Sequence, residues 1–230
     1  MVTTTVPSAP QRLGRSDRSL HLLSATSGAA DVVAFLKLNM VFTSAMTGNL
    51  ALLGIAAGQG HLLSATHSLT ALLGFITGVA IAAVWKERAF GLRRILGLEI
   101  VFLALYALCW LRWGFPPGGI PLYALILFSA IGMGMQSVAA RLIDIAGVPS
   151  VVFTSTLTSI VLVCIQNLRR HQPLPFALHQ QIAALLAYLG GAVLFAFLLM
   201  VMPALAVTLP AVLVALALWI RWHPAADTTA

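Results

Sequence analysis

The sequence predicts an all-α integral membrane fold of about six transmembrane helices plus two short re-entrant or broken segments, paired as two inverted three-helix repeats. Three observations predict it: the composition, the spacing of the apolar runs, and a motif that occurs in both halves. Of 230 residues, 60% are hydrophobic and only 8% charged, with mean hydropathy +0.98. A soluble domain carries roughly a quarter charged residues. So few charges cannot cover a surface in water, and lipid must solvate most of the chain. The formal charge of +7 comes from basic residues in short clusters between apolar runs. That is a membrane-protein distribution and excludes nucleic acid as the expected partner.

Residues 1–19 form a polar tail rich in Thr, Ser and Arg, with no trustworthy small-residue cleavage site behind it. Apolar runs then occupy 20–38, 66–86, 93–112, 120–142, 178–201 and 205–221. Each is near the roughly 17–25 residues a membrane helix needs. Two more runs, 46–57 and 151–166, are short and open on hydroxyl-rich sequence. If neither crosses and the N-terminus is cytoplasmic, every Lys and Arg except Lys37 and Arg112 faces the cytoplasm. If both cross, Lys37, Lys86, Arg88, Arg93, Arg94 and Arg141 move outside and the bias nearly vanishes. Six crossings with cytoplasmic N- and C-termini follow, with a first membrane repeat over 20–114, a second over 115–222 and a tail at 223–230.

The repeat is visible in GAADVVAFLKLNMVFTSAMTGNLALLG from Gly28 and GMQSVAARLIDIAGVPSVVFTSTLTSIVL from Gly134. The shared VFTS sets Phe42 on Phe153, Thr43 on Thr154, Ser44 on Ser155 and Thr47 on Thr158. Asp31 falls on Gln136 when six extra residues are allowed in the second connection, and Gly78 falls on Gly190. Tandem halves with an odd number of crossings insert in opposite senses, as in many transporters and channels. Non-helical backbone at membrane depth survives only against protein or a water-filled cavity. Two such segments meeting near the midplane would make a solute site.

The motif G-x-x-D-x-x-x-F followed by F-T-S-A-M-T-G-N-L-x-L-L-G, carried by Gly28, Asp31, Phe35, Phe42, Thr47, Gly48, Asn49, Leu50 and Gly54, resembles the YoaK-like family of bacterial inner-membrane proteins. Gly134, Gln136 and the Thr-rich 154–158 fit that family's second block. The chain departs from the family pattern at Ala45 and Ser159. The resemblance covers about 22–220 and implies a bacterial inner-membrane location and a fold; the family has no assigned activity to bring with it.

Asp31 is the first candidate for chemistry. A charge deep in the bilayer costs a few kcal/mol or more, about 2.5–3.5 on insertion scales, so such an acid faces a cavity or a partner. It reads either as a proton or cation site, or as a structural acid that caps the re-entrant backbone or pairs with Lys37. Thr43, Ser44, Thr47, Gly48 and Asn49 precede a short helix that Thr47 or Asn49 would cap, presenting N–H groups to a polar solute. Thr154, Ser155, Thr156 and Thr158 repeat the pattern, and Gln136 completes the expected solute or ion pathway. Glu99 reads as an acid that reaches the inner interface or pairs with Arg93 or Arg94. Cys109 and Cys164 read as buried hydrophobes, and no His pair has metal spacing. No nucleophile–base pair, phosphate loop or carboxylate pair is present, so no enzyme, cofactor or catalytic residue is expected. The sequence reading is a small-solute transporter or channel with a midplane site between the repeats, proton-coupled if Asp31 titrates. On that reading Asp31→Asn removes the pH dependence of flux. The alternative is a non-transporting membrane subunit or scaffold. The expected partners are the lipid bilayer and an unidentified small solute or ion, and a homo-oligomer is allowed.

Overall fold

The computed structural model describes residues 15–115, 118–143 and 153–223. Among them the chain is all helical: α1 Arg15–Lys37, α2 Met46–Gly58, α3 Leu62–Lys86, α4 Gly91–Trp113, α5 Gly119–Ile143, α6 Phe153–Arg170, α7 Phe176–Val201 and α8 Pro203–Trp222. Six of these are long and apolar enough to cross a membrane: α1, α3, α4, α5, α7 and α8. The predicted runs agree with these helices to within a few residues at each end. The two short runs become α2 and α6, although residues 151–152 lie outside the described residues. Helix ends fall at the expected punctuation. Gly60 and Gly114 have positive φ, Pro175 precedes α7, and Pro203 opens α8.

The chain is inside-out relative to a soluble bundle. Leu73, Ile76, Leu108, Leu189, Val193 and Phe197 stand exposed on the outer faces of α3, α4 and α7. The interior mixes large apolar side chains, among them Leu23, Ile95, Leu96, Leu125, Met133 and Phe195, with small and polar residues. α1 (SATSGAAD) and α5 (SAIGMGMQS) form its centre, with 67% and 72% of their most apolar stretches buried, against 22–33% for the other four. Lipid tails are as apolar as leucine, so helices associate through close backbone approach and internal hydrogen bonds rather than by hiding leucine.

Glycines set the two tightest crossings. A side chain on Gly28 would collide with Tyr188 O and crowd Ala192 N, and one on Gly191 would collide with Ala25 O, so α1 and α7 touch through backbone. A side chain on Gly134 would collide with Phe75 O and crowd Val79 N, and one on Gly78 would collide with Ile131 O, so α5 and α3 touch the same way. The spacings match: 25 and 28 face 188, 191 and 192, as 131 and 134 face 75, 78 and 79. Gly191 is therefore the packing counterpart of Gly78. Gly190, expected in that role, has nothing near it. The same correspondence sets Asp31 opposite Ser137, one residue beyond the expected Gln136.

The larger pattern also exchanges. α1 packs on α7 and α8 as α5 packs on α3 and α4; α3 meets α4 as α7 meets α8; α4 meets α8, and α1 meets α5. Swapping the first four helices for the last four returns the same set of neighbours.

Candidate solute pathway

The motif around Asp31 folds into an elbow. α1 ends at Lys37, and Asn39 and Met40 both adopt left-handed backbone, with φ of 57° and 61°, turning the chain back along its own helix. The returning segment, 41–45, makes no helical hydrogen bonds, and side chains replace them. Asp31, 2% exposed, receives the Thr43 N–H (2.8 Å) and the Ser44 N–H (2.7 Å) on Oδ1. Its Oδ2 accepts the Ser44 hydroxyl (2.6 Å) and the Tyr188 hydroxyl (2.9 Å). Asn49 braces the other end. Its Oδ1 accepts the Phe42 N–H (2.9 Å), and its Nδ2 donates to Phe42 O (2.6 Å) and toward the Met46 sulfur (3.7 Å). Phe42 stacks on Phe35 with ring centroids 4.9 Å apart, and its ring lies so close to Gly48 that a methyl there would sit 2.8 Å from it.

Six of the motif residues thus have a mechanical task. Gly28 lets α7 approach, Asp31 and Asn49 carry the broken backbone, Phe35 and Phe42 fill the bend, and Gly48 makes room for the ring. Of the two structural alternatives for Asp31, capping the elbow is the one observed. Lys37 is exposed, with its ammonium 5.8 Å from the centre of the Phe115 ring. The expected cap on α2 is corrected: Ala45 is the N-cap and supplies no side-chain bond, Thr47 is exposed, and Asn49 is committed to Phe42. The Thr43 hydroxyl is buried without a partner.

The second half is built differently. The connection 144–152 lies outside the described residues. In α6, Thr156 is buried while Thr154, Ser155 and Thr158 are exposed, and the Thr158 hydroxyl bonds back to Thr154 O (3.0 Å). Gln136, fully buried on α5, donates to Leu23 O (2.8 Å) and the Ser27 hydroxyl (2.6 Å) of α1, leaving its Oε1 unpartnered. It does not bond Asp31, although Ser27 and Asp31 lie one turn apart on α1. The expectation that the two short segments meet at the midplane is also corrected. Among the described residues α2 packs on α3 and α6 on α7, on separate flanks of the protein. The physical reason is that α1 and α5 already fill the centre with a close-packed small-residue face.

Glu99 is corrected as well. It is fully buried, and neither carboxyl oxygen has a hydrogen-bond partner. Arg93 and Arg94 are exposed, and the Arg94 guanidinium lies over Trp85 at 5.0 Å. Tyr188 is the member of the Asp31 network that the sequence reading missed. Its signal was a lone tyrosine inside the apolar run 178–201.

A cavity of about 10 Å³ lies among α1, α4, α5 and α8, lined by Ala30, Val33, Leu103, Tyr106, Ser129, Ala206 and Pro210. That is about the smallest space that holds one water. An open groove of about 780 Å³ runs along the outer side of α1 and α7, past Leu36, Lys37, Phe197 and Met200. Among the described residues no three His, Cys, Asp or Glu side chains gather as metal ligands. Cys109 and Cys164 are free thiols, each partly buried.

Six long apolar helices, outward-facing apolar side chains and glycine-mediated helix contacts define a multi-pass helical membrane protein. The chain belongs to the DUF1275 family, described as proteins of unknown function, whose model matches residues 19–220. It is also 39% identical over 148 residues to the UPF0700 transmembrane protein YoaK of Bacillus subtilis (strain 168). That match covers 62% of this chain and 64% of the relative, so it spans slightly less than two-thirds of the relative's length. No solved structure matches the chain.

Proposed function

We propose that the chain is a small-solute transporter or channel of the bacterial inner membrane, with both termini cytoplasmic and its pathway along the interface between the first and last four helices. It is not an enzyme on this reading; its partners are the bilayer, an unidentified small solute or ion and, where the outer helix faces allow, further copies of itself. The observation that carries the proposal is the exchange of neighbours between the two halves around α1 and α5. Two equivalent halves with buried polar side chains at their contact are the arrangement from which alternating access is built, and opposite insertion of the halves would complete it.

The structure described is then a closed state. The 10 Å³ cavity admits at most one water, so a solute path requires α1 and α5 to part from their neighbours. Asp31 acts in this scheme as a clasp between α1, the elbow and α7, because Tyr188 reaches it from α7. The test is flux into liposomes holding the purified full chain, read by light scattering for glycerol and urea and by an internal pH dye for weak acids and amines. Flux above empty liposomes that changes in Tyr188→Phe supports the proposal. Absence of flux for every probe favours the alternative, a non-transporting subunit or scaffold, a reading that draws on the complete hydrogen bonding of Asp31 within the fold.

A further inference from the structure

We propose that Glu99, rather than Asp31, is the proton-binding site of the membrane interior, carried as the carboxylic acid while α4, α5 and α8 are packed together. The inference does not depend on transport. Glu99 lies eight residues beyond Gly91, about 12 Å along α4, and some 21 Å short of Trp113. It belongs to the buried stripe of that helix, between Leu96 and Leu103, both almost inaccessible. On α5 it faces Gly132, whose missing side chain leaves the Cγ of Glu99 3.9 Å from where a methyl would stand.

The groups that could balance a negative charge there all lie elsewhere. On α4 itself, Arg93, Arg94 and Arg112 are exposed, and Arg94 is stacked on Trp85. On α5, Arg141 is exposed near the end of the helix, and the Tyr123 hydroxyl bonds Thr66. The buried residues of α8 are Ala206, Val207, Pro210, Val214 and Ala217, and its basic residue, Arg221, is in the last turn. On α3, which also touches α4, His67 and Lys86 sit toward opposite ends. Gln136, one turn from Gly132 on α5, has given its amide N–H groups to Leu23 O and Ser27 and retains only an acceptor. A carboxylate at Glu99 would thus have neither a cation nor a donor, the arrangement that most disfavours a buried charge. A proton removes the charge and leaves the buried carboxyl neutral.

The ligand is a proton and not a metal cation. Among the described residues no group of His, Cys, Asp or Glu accompanies Glu99. One carboxyl group cannot replace the six or so oxygens of a hydrated divalent ion. Asp31 differs in kind, since its two oxygens are occupied by two backbone N–H groups and two hydroxyls.

Infrared spectra of the purified full chain in lipid, recorded across the neutral pH range, test the proposal. The expected result is a carbonyl band of a protonated carboxyl that is wholly lost in Glu99→Gln and kept in Asp31→Asn. Glu99→Leu, which brings no polar atom, is expected to lose the same band and secures the assignment should the Gln variant fold poorly. A wild-type spectrum without such a band, or a band that both Glu99 variants retain, overturns the proposal. Flux is not read in this experiment, so the result stands apart from the transporter reading.

Discussion

Replacing Asp31 separates a clasp from a solute site. In Asp31→Ala all four hydrogen bonds to the carboxyl disappear, and the Thr43 and Ser44 N–H groups are left buried with no nearby acceptor. A buried unsatisfied donor costs about 1–3 kcal/mol, so the two together cost about 2–6 kcal/mol before the hydroxyls are counted. Asp31→Asn is a different perturbation. Its side-chain oxygen still accepts the two backbone N–H groups, while its new N–H₂ can donate to the Ser44 or Tyr188 hydroxyl, since either oxygen can accept. The Asn variant is therefore expected to keep most of the stability that the Ala variant loses. Two assays read this. Denaturant unfolding in micelles measures the global loss. Thiol-labelling rates measure local opening of the elbow, using a cysteine at Ala45 in a background where Cys109 and Cys164 are alanine. Labelling in Asp31→Ala should rise by about 30-fold or more, the population change that 2 kcal/mol corresponds to at 1.4 kcal/mol per decade. Equal unfolding and equal labelling in the Ala variant and the parent would refute the clasp.

Two further predictions concern packing and topology. Gly134→Ala forces α5 away from Phe75, Val79 and Gly78 and should destabilise by about 1–3 kcal/mol, while Gly97→Ala, with open space around it, should be neutral or stabilise by up to about 1 kcal/mol; parallel unfolding curves check both. Gln59→Cys, in the same cysteine-free background, should react with an impermeant thiol reagent on intact cells, because Gln59 is exposed at the end of α2 and the proposed topology puts that turn outside. Labelling only after the cells are opened would mean that α2 crosses, and the inverted arrangement would fall with it.

Asp31 shows how far the sequence could be read. Its depth in an apolar run marked it as a group needing a partner, and capping the elbow was one of two structural alternatives. The partner Tyr188 lies 157 residues away, and nothing local announces that pairing. Glu99 shows the reverse error. Two arginines stood within six residues, so proximity along the chain suggested rescue by charge. On the helix, however, Glu99 faces the buried stripe with Leu96 and Leu103, while Arg93 and Arg94 face outward. VFTS pointed to a likeness between the halves, with Asp31 paired to Gln136, while the glycine contacts set Asp31 opposite Ser137. The backbone contacts at Gly28, Gly78, Gly134 and Gly191 supply the register instead.

The sequence alone determined the membrane class, the six apolar spans and the two shorter apolar runs. These are local quantities: the thickness of hydrocarbon imposes a run length on every crossing helix, and a break in helical backbone demands polar side chains close by. Only the tertiary structure decided which helices meet, that α1 and α5 form the centre, that α2 and α6 lie apart, and that Asp31 is fully bonded while Glu99 has no partner. Lipid provides no hydrophobic gradient along which helices could be sorted by their apolar faces. Their arrangement rests on close backbone approach between small residues far apart in the chain, and that information is not written in any single segment.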